Sequence, residues 1–358
     1  MMRIEKLTKA GLKDFIESGR FETYDFLPIS RHRALSQIEN PLALEDDVLL
    51  YLAMDGEKLA GYLGCLPDEL ISENNSIHYA WLSTIYVSTD FRGKKVAQKL
   101  MSEAFIDYQN HIAMTEFTPE AENLYNKTKA FDYIPAKVGW RYYFRFDLTT
   151  LLPARKPVFG KAKMGLKVVD KIGNTFVDVK NKIWKTSAST FVFEEVLSSE
   201  IVEFIRQEAG EKMVQRIQWI VNYPWMLQGK SDSRYLFSDF TQSFGYSFIN
   251  IYNEVNQLKA LLMVSVRNGH MKMLYRFGET PNKHDWAEAV RWFAVKNKIK
   301  MLTCYSDVLN LDLIIGDVKP ILKRPMERRY LFHKDLLKLL PQPVDNNFYD
   351  GDGDVSFT

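Results

Sequence analysis

Arg92, Gly93, Lys94 and Lys95 stand together between an apolar, β-branched run and a stretch with helical spacing. The run is Thr84-Ile85-Tyr86-Val87, and Ser88-Thr89-Asp90 ends it. Val96, Leu100, Ala104 and Phe105 then recur at the three- to four-residue interval of one helix face. A strand, a basic loop with glycine, and a helix start bring three things to one point. These are free backbone N–H groups, the positive end of a helix dipole, and cationic side chains. Such a point binds phosphate.

The segment resembles motif A of the GNAT superfamily of N-acetyltransferases, in which Arg/Gln-x-x-Gly-x-Gly/Ala holds the pyrophosphate of acetyl-CoA. Arg92, Val96 and Ala97 fit that pattern, and Gly93 and Lys94 fit its common variant. Lys95 stands where the family usually has glycine, the residue that lets a phosphate approach the backbone most closely. The resemblance implies acetyl-CoA as cosubstrate, held by Arg92, Gly93, Lys94, Lys95, Val96 and Ala97. It also makes Ile85, Tyr86 and Val87 the end of the fourth strand. In the family that strand splays from the fifth, and its backbone pairs with the pantetheine arm and polarises the thioester.

A second segment, Ala121-Glu122-Asn123-Leu124-Tyr125-Asn126-Lys127, resembles motif B, Asn-x-x-Ala-x-x-Leu-Tyr-x-Lys-x-Gly-Phe. Ala121, Leu124, Tyr125 and Lys127 match. Thr118 replaces the asparagine, and Lys129-Ala130-Phe131 replaces Gly-Phe one residue late. The resemblance implies that Tyr125 is the catalytic acid that protonates the leaving thiolate, a role open to a phenol of pKa ~10. No general base follows from the sequence. The fourth strand reads His78-Tyr79-Ala80-Trp81-Leu82-Ser83-Thr84, without a carboxylate. His78 titrates near neutral pH but lies early on that strand. Glu22 and Asp25, in an aromatic segment, are candidates for contact with a cationic substrate or for a solvated surface.

The elements that must position these groups can be read in order. Met2–Leu7 reads as a strand and Lys9–Ser18 as an amphipathic helix. Val48–Met54 and Leu59–Leu66 form a hairpin with Asp55-Gly56 in its turn. Ser76–Val87 is a strand, Lys94–Tyr108 a helix, Ile112–Phe117 a strand, and Pro119–Lys129 a helix. Tyr133–Phe146 reads as a strand pair. Two prolines, a glycine and scattered lysines make Leu148–Met164 a linker. Beyond it, Leu166–Lys171 reads as a strand, and Phe193–Glu208 and Lys212–Asn222 as helices. Tyr246–Tyr252, Leu258–Val266 and Met271–Phe277 read as a meander. Trp286–Lys296 is a helix, Lys300–Tyr305 a strand, Asp307–Leu313 a short helix, and Glu327–His333 a final strand. The second half thus repeats the order of the first.

The expected fold class is α+β: two GNAT-like domains, each a mostly antiparallel sheet with a splayed strand pair flanked by helices. The expected boundaries are 1–150 for the acetyl-CoA-binding catalytic domain, 151–164 for the linker, 165–340 for a non-catalytic second copy, and 341–358 for a tail. The second copy lacks the phosphate loop. Its equivalent, Arg276-Phe277-Gly278-Glu279-Thr280-Pro281-Asn282-Lys283-His284-Asp285, carries acids and a proline.

At 358 residues the chain has room for two domains, and its 46% hydrophobic and 26% charged residues are ordinary for a globular protein. A formal charge of +2 gives no global pull toward nucleic acid or membrane, so neither is an expected partner. Cys65 and Cys304 read as buried free thiols, and no metal-ligand spacing joins them to the histidines, so no metal is expected. The N-terminal residues lack the apolar core of a signal peptide. No run approaches the roughly 20 apolar residues of a membrane helix. A cytoplasmic setting is expected. The expected reaction is acetyl transfer to an amine of a small-molecule or peptide acceptor, in a ternary complex. Two alternatives remain open: another acyl transfer, such as aminoacyl transfer, or a CoA-binding pseudoenzyme that acts through partners. The acceptor and the oligomeric state do not follow from the sequence.

Overall fold

The computed structural model describes residues 2–72, 75–183, 190–230, 234–282, 284–315, 320–341, 344 and 348–357. Lys283 of the acidic loop and part of the 341–358 segment lie outside these residues. The first segments are β1 (Arg3–Leu7), α1 (Lys9–Glu17), α2 (Arg31–Ile38), β2 (Leu50–Asp55), β3 (Lys58–Ser72) and β4 (Asn75–Val87). Next come α3 (Val96–Asp107), β5 (Ile112–Thr115), α4 (Pro119–Thr128) and β6 (Phe131–Tyr143). Leu12, Phe15 and Ile16 form the buried face of α1, as their spacing requires. Val96, Leu100, Met101 and Ala104 do the same for α3. Thr118 caps α4 by accepting from the Ala121 N–H at 3.3 Å, and Pro119 fits its first turn.

The chain continues as α5 (Leu148–Arg155), α6 (Lys163–Ile183), β7 (Thr190–Glu194), α7 (Ser199–Ala209), α8 (Glu211–Asn222), β8 (Leu227–Gln228) and β9 (Phe240–Thr241). It ends in β10 (Phe244–Tyr252), β11 (Leu258–Arg267), β12 (His270–Gly278), α9 (Asp285–Lys296), β13 (Met301–Cys304), α10 (Asp307–Ile315), β14 (Leu322–His333) and α11 (Lys334–Lys338). The chain is of the α+β class.

Three readings of the sequence are corrected. Leu166–Lys171 is not a strand but part of the 21-residue helix α6. Its valines suggested β structure, yet the helical period holds from Met164 to Val179. Phe193 begins no helix; it lies in β7, and α7 starts at Ser199. Tyr133–Phe146 is not a strand pair, because the single strand β6 runs unbroken from Phe131 to Tyr143. The segment read as a linker holds most of α5, a 3-10 turn at Pro157–Ala162 and the start of α6.

The residues group into two compact units. Unit one comprises 1–137, 211–242 and 327–358; unit two comprises 138–210 and 243–326. Each is therefore discontinuous, while the sequence reading drew one boundary near 150–165. In unit one the sheet order is β1-β2-β3-β4-β5, followed by the Glu327–His333 part of β14. All pairs are antiparallel except β4 with β5. In unit two the order is the Val138–Tyr143 part of β6, then β13-β12-β11-β10-β7, with β12 and β13 the parallel pair.

Each unit has its own core. In unit one Leu63, Cys65, Leu100, Met114, Tyr125 and Leu331 pack under α3. A second cluster lies around Leu12, Phe15, Leu52, Tyr62 and Tyr235. In unit two Ile249, Leu262, Met271, Trp286, Phe293 and Leu302 pack together. Fully burying one such large apolar side chain contributes roughly 1.5–3 kcal/mol. The 211–242 segment belongs to unit one because α8 turns Val214, Ile217, Trp219 and Ile220 inward. The Trp219 indole N–H donates to the Ser36 carbonyl at 2.6 Å. Residues 349–357 are no loose tail: Val355 and Phe357 are buried, and the Phe357 ring stacks on Trp225 at 4.5 Å.

Candidate active site

The site lies in unit one, where β4 parts from β5. The two strands pair at only two positions, Ala80 with Ile112 and Trp81 with Ala113. Beyond Trp81, β5 pairs on its other side with Leu331 and Tyr330, and Leu82–Val87 continues without a β5 partner. The divergence has a local cause. In the β3–β4 register, Gly64 faces Thr84 and Cys65 faces Leu82, so Ser83 is an extra residue. One extra residue in a strand bends it and increases its twist. The β5-facing backbone edge of Leu82–Val87, which includes the expected Ile85, Tyr86 and Val87, is thereby left open.

The loop after β4 points the same way. Thr89–Phe91 makes a 3-10 turn, and Gly93 takes φ +80 with nothing within 4 Å of where a Cβ would stand. Lys95, the residue before α3, lies at φ 59 and ψ 25, in the left-handed region. That is the region glycine enters most readily, which gives a backbone reason for glycine at this position. No side chain caps α3, whose first intrahelical bond is from the Lys99 N–H to the Lys95 carbonyl at 3.1 Å. Arg92, Gly93, Lys94 and Lys95 are exposed there, and the Lys94 ammonium lies 4.6 Å above the Phe91 ring. Val96 is buried and Ala97 half-buried, so both contribute backbone rather than charge. An uncapped helix start, open space at Gly93 and three cations fit a pyrophosphate.

Tyr125 is 4% exposed, between Phe117 and Phe131. Burial, then Cys65 and the carboxylate of Asp354, push its hydroxyl well above the usual phenol range. A phenol held in that way stays protonated at neutral pH and so carries a proton to give. Asp354 also reaches the splay directly. The Ser83 hydroxyl donates to it at 2.9 Å, and Arg33 donates to the Ser83 oxygen at 2.7 Å. Arg33 is itself 6% exposed, 3.9 Å above the Trp225 ring, and donates to the Tyr235 hydroxyl at 3.2 Å. Two distant segments therefore meet at the bulged residue of β4, and a third packs on Arg33.

The other sequence candidates lie elsewhere. His78 bonds both carboxylate oxygens of Asp47, at 3.0 and 2.9 Å. It sits five residues before Ser83, roughly 16 Å along a strand. Glu22 and Asp25 are exposed. Cys65 and Cys304 are buried and unpaired with each other. Among the described residues no cluster of His, Cys, Asp or Glu could hold a metal ion, and no helix is long and apolar enough to cross a membrane. The reading of the sequence missed Arg33, Tyr235 and Asp354. The only local sign of Asp354 was the run Asp350-Gly351-Asp352-Gly353-Asp354, dense in acid and glycine.

Comparison with known proteins agrees with this geometry. Residues 13–130 match the model of the acetyltransferase (GNAT) family. No curated protein matches the chain. A solved structure from Enterococcus faecalis V583, described as a probable N-acyltransferase of unknown function, is similar at TM-score 0.53 and 8% identity. The match covers 94% of this chain and 73% of that one. A GCN5-related N-acetyltransferase from Anabaena variabilis is similar at TM-score 0.51 and 10% identity, covering 92% and 72%. At such identities these two likenesses speak to the fold alone. Residues 13–130 of this chain are thus similar in sequence to the GNAT acetyltransferase family, and the two solved structures are similar in fold.

Proposed function

We propose that unit one transfers an acetyl group from acetyl-CoA to an amine by direct attack in a ternary complex. The observation that carries this reading is the opening of β4 from β5 beside the uncapped start of α3. Arg92, Gly93, Lys94, Lys95, Val96 and Ala97 hold the pyrophosphate, and the open edge of Ile85, Tyr86 and Val87 holds the pantetheine arm. Acetyl-CoA supplies the thioester. Asp354, oriented by Ser83 and Arg33, takes the proton of the incoming ammonium. The new N–C bond forms as the C–S bond breaks, Tyr125 gives its proton to the departing sulfur, and the second proton lost from nitrogen restores the phenol. The bond from Ser83 keeps one oxygen of Asp354 occupied and the other directed by it. Unit two is proposed as a second GNAT-like copy without this chemistry. Cys65 and Cys304, buried and not joined in a disulfide, support a reducing, cytoplasmic setting.

The test is binding, then turnover. Millimolar CoA is expected to raise the melting temperature, by mass action on the folded state. Arg92→Glu is expected to abolish the rise, because it puts a carboxylate among the phosphate donors. Release of CoA against a panel of amines then separates an enzyme from a CoA-binding pseudoenzyme. A folded wild-type protein whose melting is indifferent to CoA would sink the reading.

A further inference from the structure

Surface helices turn their apolar stripe toward the core. In unit two, α6 does the reverse. At about 100° per residue, Met164, Val168, Ile172, Phe176 and Val179 fall within an arc of about 120°. All five are exposed, Met164 by 86% and Phe176 by 72%. The opposite face makes the helix's attachments. Gly173 lies against the Phe146 ring, where a Cβ would meet it at 2.6 Å. The Asn174 amide bonds both backbone groups of Phe146, each at 2.9 Å. Asp170 accepts from the backbone of Leu148 and Thr149 at the start of α5. The outward orientation is therefore fixed by polar bonds rather than left loose.

Charge identifies what covers the stripe. Between residues 155 and 182 there are eight cationic residues (Arg155 and seven lysines) and two acids, Asp170 and Asp178. Both acids are engaged, Asp170 with α5 and Asp178 with Arg145. On the helix, Lys171 and Lys182 border one edge of the stripe and Lys180 the other, and all three are exposed. Exposed Val158, with Arg155, Lys156 and Lys161 around it, extends the same character beyond the helix start. A second copy of this face would set lysine against lysine across a two-fold axis, which is repulsive. A surface that is apolar at depth and anionic at its head groups satisfies both features.

We infer that α6 lays its outward stripe into the interface of an anionic lipid bilayer, with its lysines on the head groups. The formal charge of +2 for the whole chain hides this, because the excess is local. The test is sedimentation of the full chain with vesicles. Binding is expected to vesicles of phosphatidylcholine with phosphatidylglycerol, little to phosphatidylcholine alone, and less in both cases at high salt. Phe176→Asp is expected to remove binding, and Lys167→Glu with Lys171→Glu to weaken it at least about tenfold. These side chains are exposed, so the variants keep the wild-type melting temperature. Folded protein that ignores anionic vesicles would overturn the inference. So would vesicle binding unchanged by Phe176→Asp, or a dimer in sedimentation equilibrium that Phe176→Asp dissociates.

Discussion

Lys95 adopts a backbone conformation, φ 59 and ψ 25, that costs an L-residue roughly 1–2 kcal/mol. Glycine would escape that cost but gain freedom in the unfolded chain, worth roughly 0.4–1 kcal/mol in the other direction. Lys95→Gly is therefore expected to raise folding stability by no more than about 1.6 kcal/mol. Its effect belongs to the ligand: CoA titration at two salt concentrations should show a shallower salt dependence, since one ammonium has left the phosphate point. Unchanged salt dependence would mean that the Lys95 side chain turns away. Tyr125→Phe tests the acid, with an expected fall in kcat of about 10²–10⁴-fold while CoA binding persists. An unaltered kcat on a true acceptor would return Tyr125 to a packing role. Arg92 and Tyr125 could be proposed from the sequence because each belongs to a local run whose spacing carries its meaning. Arg33, Tyr235 and Asp354 could not, because Arg33 and Asp354 meet Ser83, and Tyr235 meets Arg33, only across long separations in the chain.

Among the elements, strands and helices near the site were legible to within a few residues, since their periods are clean. The bend at Ser83 was not, because an unpaired residue in a strand leaves no trace in composition. In α6 the local alternation of Leu166, Lys167 and Val168 mimicked a strand, and only the longer window shows the helical period. The 349–357 segment was obscured by its acids, which suggest solvent. Burial pushes Asp352 up to about 6, with Asp68 adding to the rise and Arg216, 3.7 Å away, opposing it. A carboxyl whose folded pKa is raised binds more protons in the folded state than in the unfolded one. Its contribution is thus present below about pH 4 and lost as pH rises through about 6. Asp352→Asn, which stays neutral, is expected to raise stability by up to roughly 2–3 kcal/mol at pH 8 and to change little at pH 4. Melting scans across this range check it, and an equal effect at both ends would contradict the raised carboxyl.

For the molecule as a whole, the sheet of unit two repeats the pattern of unit one: an antiparallel meander, then a parallel pair that separates early. His270, Met271 and Lys272 pair with β13, and the rest of β12 does not. The start of α9, however, is acidic. Asp285, 1% exposed, accepts from the Asn282 N–H at 2.9 Å, and Glu279 is exposed on the same loop. A phosphate about 4 Å from one such carboxylate is opposed by ~4 kcal/mol at an effective dielectric of about 20. Calorimetric titration should therefore give one CoA per chain, and two equivalents would show that unit two binds as well. The discontinuity of unit one bears on how the protein is made. A nascent chain that has delivered residues 1–137 holds the Arg92–Lys95 loop and Tyr125, but not Trp225 or Tyr235, which flank Arg33, nor the strand that borders β5, nor Asp354. Ribosomes add about 5–20 residues each second. For some ten seconds or more the early segment has open strand edges and an incomplete core, and it must wait or be sheltered. On the proposed mechanism, acetyl transfer by unit one is thus withheld until the chain has been extended past Asp354.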